Sequence, residues 1–191
     1  LIYSDELGKY MYEQGYQVIM AEGADQVLGW KSANYVYCDD AQPRMKILLR
    51  NYKLTDDVAL RFSNQEWSEW PLTAEKYVGW IANSLEKEDV VNLDFKYETF
   101  GEYKRAETGI FDFFSAFVSL IVKNKGISFA TPSEVAKNFQ PISVLSVPQC
   151  TSATDEERDL SAWLGNSLQK QAFDALYSLQ RHMAVIDDHQ L

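Results

Sequence analysis

Asp94, Lys96 and Glu98 fall at alternate positions of the stretch Val90-Val91-Asn92-Leu93-Asp94-Phe95-Lys96-Tyr97-Glu98. Along an extended segment alternate side chains share a face, so Asp94 and Lys96 point the same way, with Glu98 next if the extension continues. Acid, amine and second acid side by side could tune one another for proton transfer. The same residues suit a structural ion pair, or a charged strand end standing in water. The spacing allows both readings.

Other chemistries lack their parts. The histidines, His182 and His189, lie at the C-terminal end, away from the loops that carry acids, so a zinc site has no ligand set and no metal is expected. There is no phosphate loop and no Gly-x-Gly-x-x-Gly, and no cofactor is implied. Cys38 and Cys150 are far apart and too few for a disulfide framework; buried thiols in a reduced, cytoplasmic setting are the simpler expectation. A net charge of −10 repels phosphate backbones, which argues against a nucleic-acid partner. The N-terminus has no basic leader region. The most apolar stretch, Ile110 to Val122, contains Asp112 and is too short to cross a membrane, so no membrane is expected as a partner. Aromatic residues reach 14%, which fits either a well-filled core or flat rings that stack on sugars.

The elements that would position these residues read as strands alternating with helices. Helices are expected over Ser4–Gln14, Thr73–Leu85, Ile110–Asn124 (capped by Thr108) and about Leu160–Gln180, with a helical turn at Leu54–Arg61. Thr131-Pro132-Ser133-Glu134 is a capping box with proline at the first helical position. Strands are expected at Tyr16–Ala21, Tyr35–Cys38, Met45–Arg50, Val90–Phe95 and Ile127–Ala130. Glu22–Asn34, Asn64–Pro71, Glu98–Glu107 and Ser143–Thr154 read as loops. The alternation predicts an α/β fold with a parallel sheet, in which functional residues collect after the carboxyl ends of strands. We expect a single domain over 1–191, with a strand/helix portion at 1–130 and a mainly helical portion at 131–191. The sequence holds too few strands for a closed eight-stranded barrel of about 250 residues. A partial parallel (β/α) barrel is the expectation, with open edges prone to self-association.

Three stretches, opening with Asp89-Val90-Val91-Asn92-Leu93, Ala21-Glu22-Gly23-Ala24-Asp25 and Asp155-Glu156-Glu157-Arg158-Asp159, together resemble glycoside hydrolase family 57, the α-amylase and 4-α-glucanotransferase type. Asp89-Val90-Val91-Asn92-Leu93 with Tyr97-Glu98-Thr99-Phe100-Gly101-Glu102 and Glu107-Thr108-Gly109-Ile110-Phe111-Asp112-Phe113 is similar to the family's fourth signature region. Ala21-Glu22-Gly23-Ala24-Asp25, Leu28-Gly29-Trp30-Lys31-Ser32 and Asn34-Tyr35-Val36-Tyr37 resemble the part before it. Asp155-Glu156-Glu157-Arg158-Asp159-Leu160-Ser161-Ala162-Trp163-Leu164-Gly165-Asn166 resembles a helical segment after the barrel strands.

The resemblance implies the second half of a (β/α)7 barrel and a retaining α-1,4-glucan hydrolase, with an α-glucan or maltooligosaccharide as ligand. Such chemistry needs two carboxyl groups about 5 Å apart. The resemblance puts the nucleophilic glutamate just before Leu1 and the acid/base aspartate at position 96, where this chain has Lys96. A lysine neither forms a glycosyl ester nor replaces a carboxylic acid readily as proton donor. Asp94, Tyr103 and Ala153 also depart from the family pattern. Asp94 lies two positions deeper, roughly 6–7 Å from where the acid is needed. Glu98 stands in the matched motif. Sugar-binding roles are implied for Trp30, Tyr97, Phe100, Trp163 and Asn166; core packing is the other reading for Trp30 and Trp163. Trp67 and Trp70 lie outside the motifs and are expected to pack. The expectation is therefore a truncated or catalytically impaired α-amylase-like protein, with a non-catalytic glucan-binding or scaffold protein as the alternative.

Overall fold

The computed structural model describes residues 1–183; His189 lies outside them. β1 (Ile2–Tyr3) leads into α1 (Asp5–Glu13), which Ser4 caps by accepting the Leu7 amide at 3.3 Å. Next come β2 (Val18–Glu22), a short α2 (Asp25–Leu28), β3 (Val36–Asp39) and β4 (Lys46–Arg50). α3 (Tyr52–Asp56) continues as a π-helical turn over Asp57–Arg61. α4 (Ala74–Leu85), α5 (Ile110–Lys123) and α6 (Pro132–Asn138) follow, then β5 (Ser143–Leu145), β6 (Thr151–Ser152), α7 (Ser161–Leu164) and α8 (Ser167–Met183). The capping box forms as the sequence predicts: Thr131 Oγ1 accepts the Glu134 amide at 3.3 Å, and Glu134 Oε2 accepts the Thr131 amide at 2.7 Å.

The fold is α/β with parallel strand pairs, as expected, but the sheet is open and mixed, because one of its pairs is antiparallel. Its order is β2-β4-β3-β5, with β2 parallel to β4, β3 parallel to β5, and β3 antiparallel to β4. The reason is local. The link between β3 and β4 is a tight connection in which Asp39 accepts the Gln42 amide at 2.6 Å and Gln42 accepts the Met45 amide at 2.8 Å. A parallel crossover needs a dozen or more residues, and this link is far shorter. β1 and β6 pair antiparallel as a separate ribbon.

Two expected strands are not strands. Val90–Phe95 keeps only an isolated parallel bridge, Arg50 to Asn92, because β3 already occupies that edge of β4 further back, at Val36 to Leu48. Its apolar members, Val91, Leu93 and Phe95, pack sideways onto the helices instead. Ile127–Ala130 has no strand partner among the described residues, and Ile127 likewise packs onto the helices. Ser143–Thr154, read as loop, supplies β5 and β6, and Glu22–Asn34 contains α2. Thr108 does not cap α5: Gly109, at φ 79°, stands there, and the Thr108 hydroxyl donates to the Arg105 carbonyl at 2.6 Å. The single helix expected over Leu160–Gln180 is broken at Gly165 and Asn166, between α7 and α8.

Burial follows the two-residue period of the strands. Ile47 and Leu49 join Tyr3, Tyr37 and Leu145 on one face, while Leu48 joins Val36, Val90 and Val135 on the other. A third cluster lies between helices, where the buried Tyr77 ring meets Phe113 at 5.7 Å and Phe117 at 5.4 Å and its hydroxyl donates to the Leu54 carbonyl at 2.8 Å. Trp67 packs beside Trp80 at 6.3 Å, as expected, whereas Trp70 stays exposed.

Candidate functional site

β2 and β4 run parallel and end in register, Glu22 beside Arg50, and Asn92 bridges to Arg50 in the same direction. Three chain segments therefore leave the sheet at the carboxyl end of β2 and β4, the kind of place where α/β folds put their sites. Gly23 is required there, because a Cβ on it would overlap the Arg50 carbonyl.

A buried charge cluster fills this end. Arg50 reaches Glu22 at 3.1 Å and Asp56 at 2.6 Å. Arg158, arriving from the loop after β6, reaches the same two carboxylates at 3.3 and 3.2 Å. The Arg158 guanidinium also lies over the Tyr52 ring, 4.7 Å from its centroid, and Tyr52 donates to Asp25 at 2.7 Å. Two cations against two anions leave the cluster neutral. Burial pushes the Glu22 carboxyl up, against the downward pull of both arginines. Burial and the bond to Asp25 push the Tyr52 hydroxyl up to about 12. Removing one member of such a cluster strands a buried charge, at a cost of roughly 3–5 kcal/mol. Arg158 holds φ 56°, a left-handed conformation that costs a non-glycine residue about 1–3 kcal/mol and persists where surroundings enforce it.

Asp94, Lys96, Tyr97 and Glu98, nominated from the sequence, lie on the segment that follows this cluster. Arg50 Nε donates to the Asp94 carbonyl at 3.3 Å, so the cluster is tied directly to the segment that carries Asp94 and Lys96. The chain then turns: the Thr99 amide donates to the Lys96 carbonyl and the Phe100 amide to the Tyr97 carbonyl, each at 3.0 Å. The turn carries Lys96, Tyr97 and Glu98 into solvent, and Tyr97 is 96% exposed. Asp94 is half-buried, and Lys96 makes no ion pair with Asp94 or Glu98; the buried Asp–Lys pair does not form, because the segment is not an extended strand facing a barrel interior. Trp30 is 94% exposed, which removes its core-packing reading. Phe100 is half-buried, with its ring edge-on to Phe95 at 5.6 Å and tilted against Phe114 at 4.8 Å. Asn166 caps α8 by exchanging bonds with Gln169, each at 3.0 Å, and Trp163 lies partly exposed on α7. No hydrogen bond or ring contact joins Trp163 or Asn166 to the Lys96 turn among the described residues.

A cavity of about 610 Å³ lies elsewhere, between the Leu48 face of the sheet and α5, with Phe117, Ile121, Phe129 and Val135 in its wall. Its wall is mainly apolar, with Glu88, Asp89, Asn92 and Ser128 as polar members, and it contains none of the site residues nominated from the sequence, although their neighbours Leu93 and Phe95 line it. At the carboxyl end, a polar recess of about 190 Å³ opens between Asp25, Gln26, Tyr52, Glu156 and Arg158. Sequence reasoning missed Arg50, Asp56 and Arg158 as members of the site. A signal was present: charged residues at or just beyond the ends of apolar strands, Glu22 after Val18–Ala21 and Arg50 after Ile47–Leu49, are expensive unless they pair. No three His, Cys, Asp or Glu residues are grouped to hold a metal ion, and no helix is long and apolar enough to cross a membrane, among the described residues. Cys38 is buried and Cys150 half-buried, and both thiols are free.

Residues 1–148 match the model of glycosyl hydrolase family 57, and the chain belongs to that family. It is 40% identical over 178 residues to a protein of Methanocaldococcus jannaschii named "Putative alpha-amylase". That similarity covers 92% of this chain but 37% of the relative, so the chain spans little more than a third of the relative's length.

Proposed function

We propose that the chain forms part of an α-1,4-glucan site of the α-amylase type, impaired at the acid/base position, which binds maltooligosaccharide without cleaving it. The observation that carries this reading is Lys96. It stands where the resemblance places the proton-donating aspartate, in an exposed turn at the carboxyl end of the sheet. An ammonium group offers neither the carboxylic acid nor the carboxylate that a retaining glycosidase needs. Asp94 does not take over, since its position lies deeper along the segment and half-buried. Glu98 is exposed on the same turn and is the carboxylate best placed to meet a sugar hydroxyl. Trp30 and Tyr97 offer nearly bare rings, at 94% and 96% exposure, on loops leaving that end; flat apolar faces of this kind stack on pyranose rings.

The family and the relative's name support an α-glucan as the ligand class. The test is incubation of the chain with maltoheptaose, assayed for new reducing ends. None are expected above a buffer control. Release of reducing ends that Glu98→Gln abolishes would establish an active hydrolase and overturn the reading.

A further inference from the structure

We propose that Arg158 is a positioning residue for the carboxyl-end site: it clips the segment after β6 onto the ends of β2 and β4 and, through Arg50, fixes the turn that carries Lys96. The path is continuous. Asp56 divides its two oxygens between the guanidiniums, Oδ1 to Arg50 at 2.6 Å and Oδ2 to Arg158 at 3.2 Å. Glu22 Oε1 accepts from both, at 3.1 and 3.3 Å. Arg50, set by those carboxylates, donates to the Asp94 carbonyl at 3.3 Å.

The segment itself does not favour this placement. Arg158 is the non-glycine residue with positive φ among those described, at 56°. Asp155 Oδ1 is buried with no hydrogen-bond partner among the described residues. What holds the segment is the set of contacts around Arg158: its two ion pairs, its stacking on Tyr52 at 4.7 Å, its carbonyl accepting the Ser152 amide at 3.0 Å, and the neighbouring Glu157 carbonyl accepting from Gln26 at 3.0 Å. A strained residue held by many contacts is a device for placing something accurately. Here the thing placed is the Asp94–Phe100 turn.

The experiment is amide hydrogen exchange on the full chain and on Arg158→Ala, Arg158→Lys and Arg158→Gly, with calorimetric titration of maltoheptaose beside it. Only the titration rests on the glucan reading. Arg158→Ala is expected to speed exchange at Thr99 and Phe100 on the order of tenfold while α4 and α5 keep their protection, the signature of a local opening. Arg158→Lys recovers part of the protection, since one ammonium reaches one carboxylate. Arg158→Gly behaves like Arg158→Ala although it relieves the backbone, because the side chain does the placing. The maltoheptaose Kd is expected to rise in the same order. Protection lost uniformly along the chain, or a Thr99–Phe100 turn that exchanges as in the unmodified protein, overturns the proposal. Should a variant fail to fold, Arg158→Lys carries the comparison. If the unmodified chain binds no maltoheptaose, the glucan reading falls while the exchange data still decide this one.

Discussion

Two groups of charged residues share the carboxyl end of the sheet, and the fold treats them oppositely. Glu22, Arg50, Asp56 and Arg158 are withdrawn from water and paired to neutrality. Lys96 and Glu98, a short step along the chain from the Arg50–Asp94 contact, stand exposed beside the bare ring of Tyr97. A buried charge is tolerated only with partners, so the first group is committed to holding the segments in place. An exposed charge costs little and is free to meet a ligand. On the proposed reading, stability and ligand contact fall to different residues, tied through the Arg50–Asp94 hydrogen bond.

The largest effect should come from breaking the buried group. Arg50→Leu leaves Glu22 and Asp56 with Arg158 alone and is expected to cost about 3–5 kcal/mol in denaturant unfolding. A loss below about 1 kcal/mol would mean that the cluster does not anchor the strand ends. Next is a pH effect with a defined sign. Glu22 has its folded pKa raised by burial, so its ionised form penalises the folded state at higher pH. The penalty is full above the folded pKa and is relieved as the pH falls through it toward the ordinary value of 4.5. Stability of the unmodified chain relative to Glu22→Gln should therefore improve as the pH drops from neutral through that window. A difference that stays constant across it would contradict the assignment.

The exposed group should behave in the contrary way. Lys96→Ala and Tyr97→Ala are expected to change stability by no more than about 0.5 kcal/mol, because neither side chain is packed. A larger change in urea midpoint would show the turn to be structural and would blur the contrast. The smallest effect belongs to the capping box. Two bonds from Thr131 lower the Glu134 pKa, so its stabilising contribution is present above the ordinary value of 4.5 and is lost as the pH falls through the lowered folded one. Melting points of the unmodified chain and Glu134→Gln should differ slightly at neutral pH and converge in acid.

Local signals were legible in the sequence, and pairings were not. Thr131-Pro132 with Glu134 carries its own hydrogen-bonding logic and marked a helix start that the structure keeps. Tyr16–Ala21 and Met45–Arg50 were recognisable as strands, and the structure places β2 and β4 there, at Val18–Glu22 and Lys46–Arg50. Val90–Phe95 has the same composition but found no free edge to pair with, which no property of its own residues reveals. The direction of β3 against β4 was readable in principle from the short link between them, and alternation alone pointed the wrong way. At the site, the motif containing Lys96 could be placed by resemblance. Arg158 could not be joined to Glu22 across so long a stretch of chain without the fold.

The separation of the two groups is tested most directly by titration calorimetry of maltoheptaose into the unmodified chain and into Trp30→Ala, with unfolding midpoints measured on the same samples. The expected result is saturable binding that Trp30→Ala weakens on the order of tenfold, as for an exposed aromatic anchor, with an unchanged midpoint. Absence of binding heat from the unmodified chain, or a fall in the midpoint that accounts for the lost affinity, would contradict it.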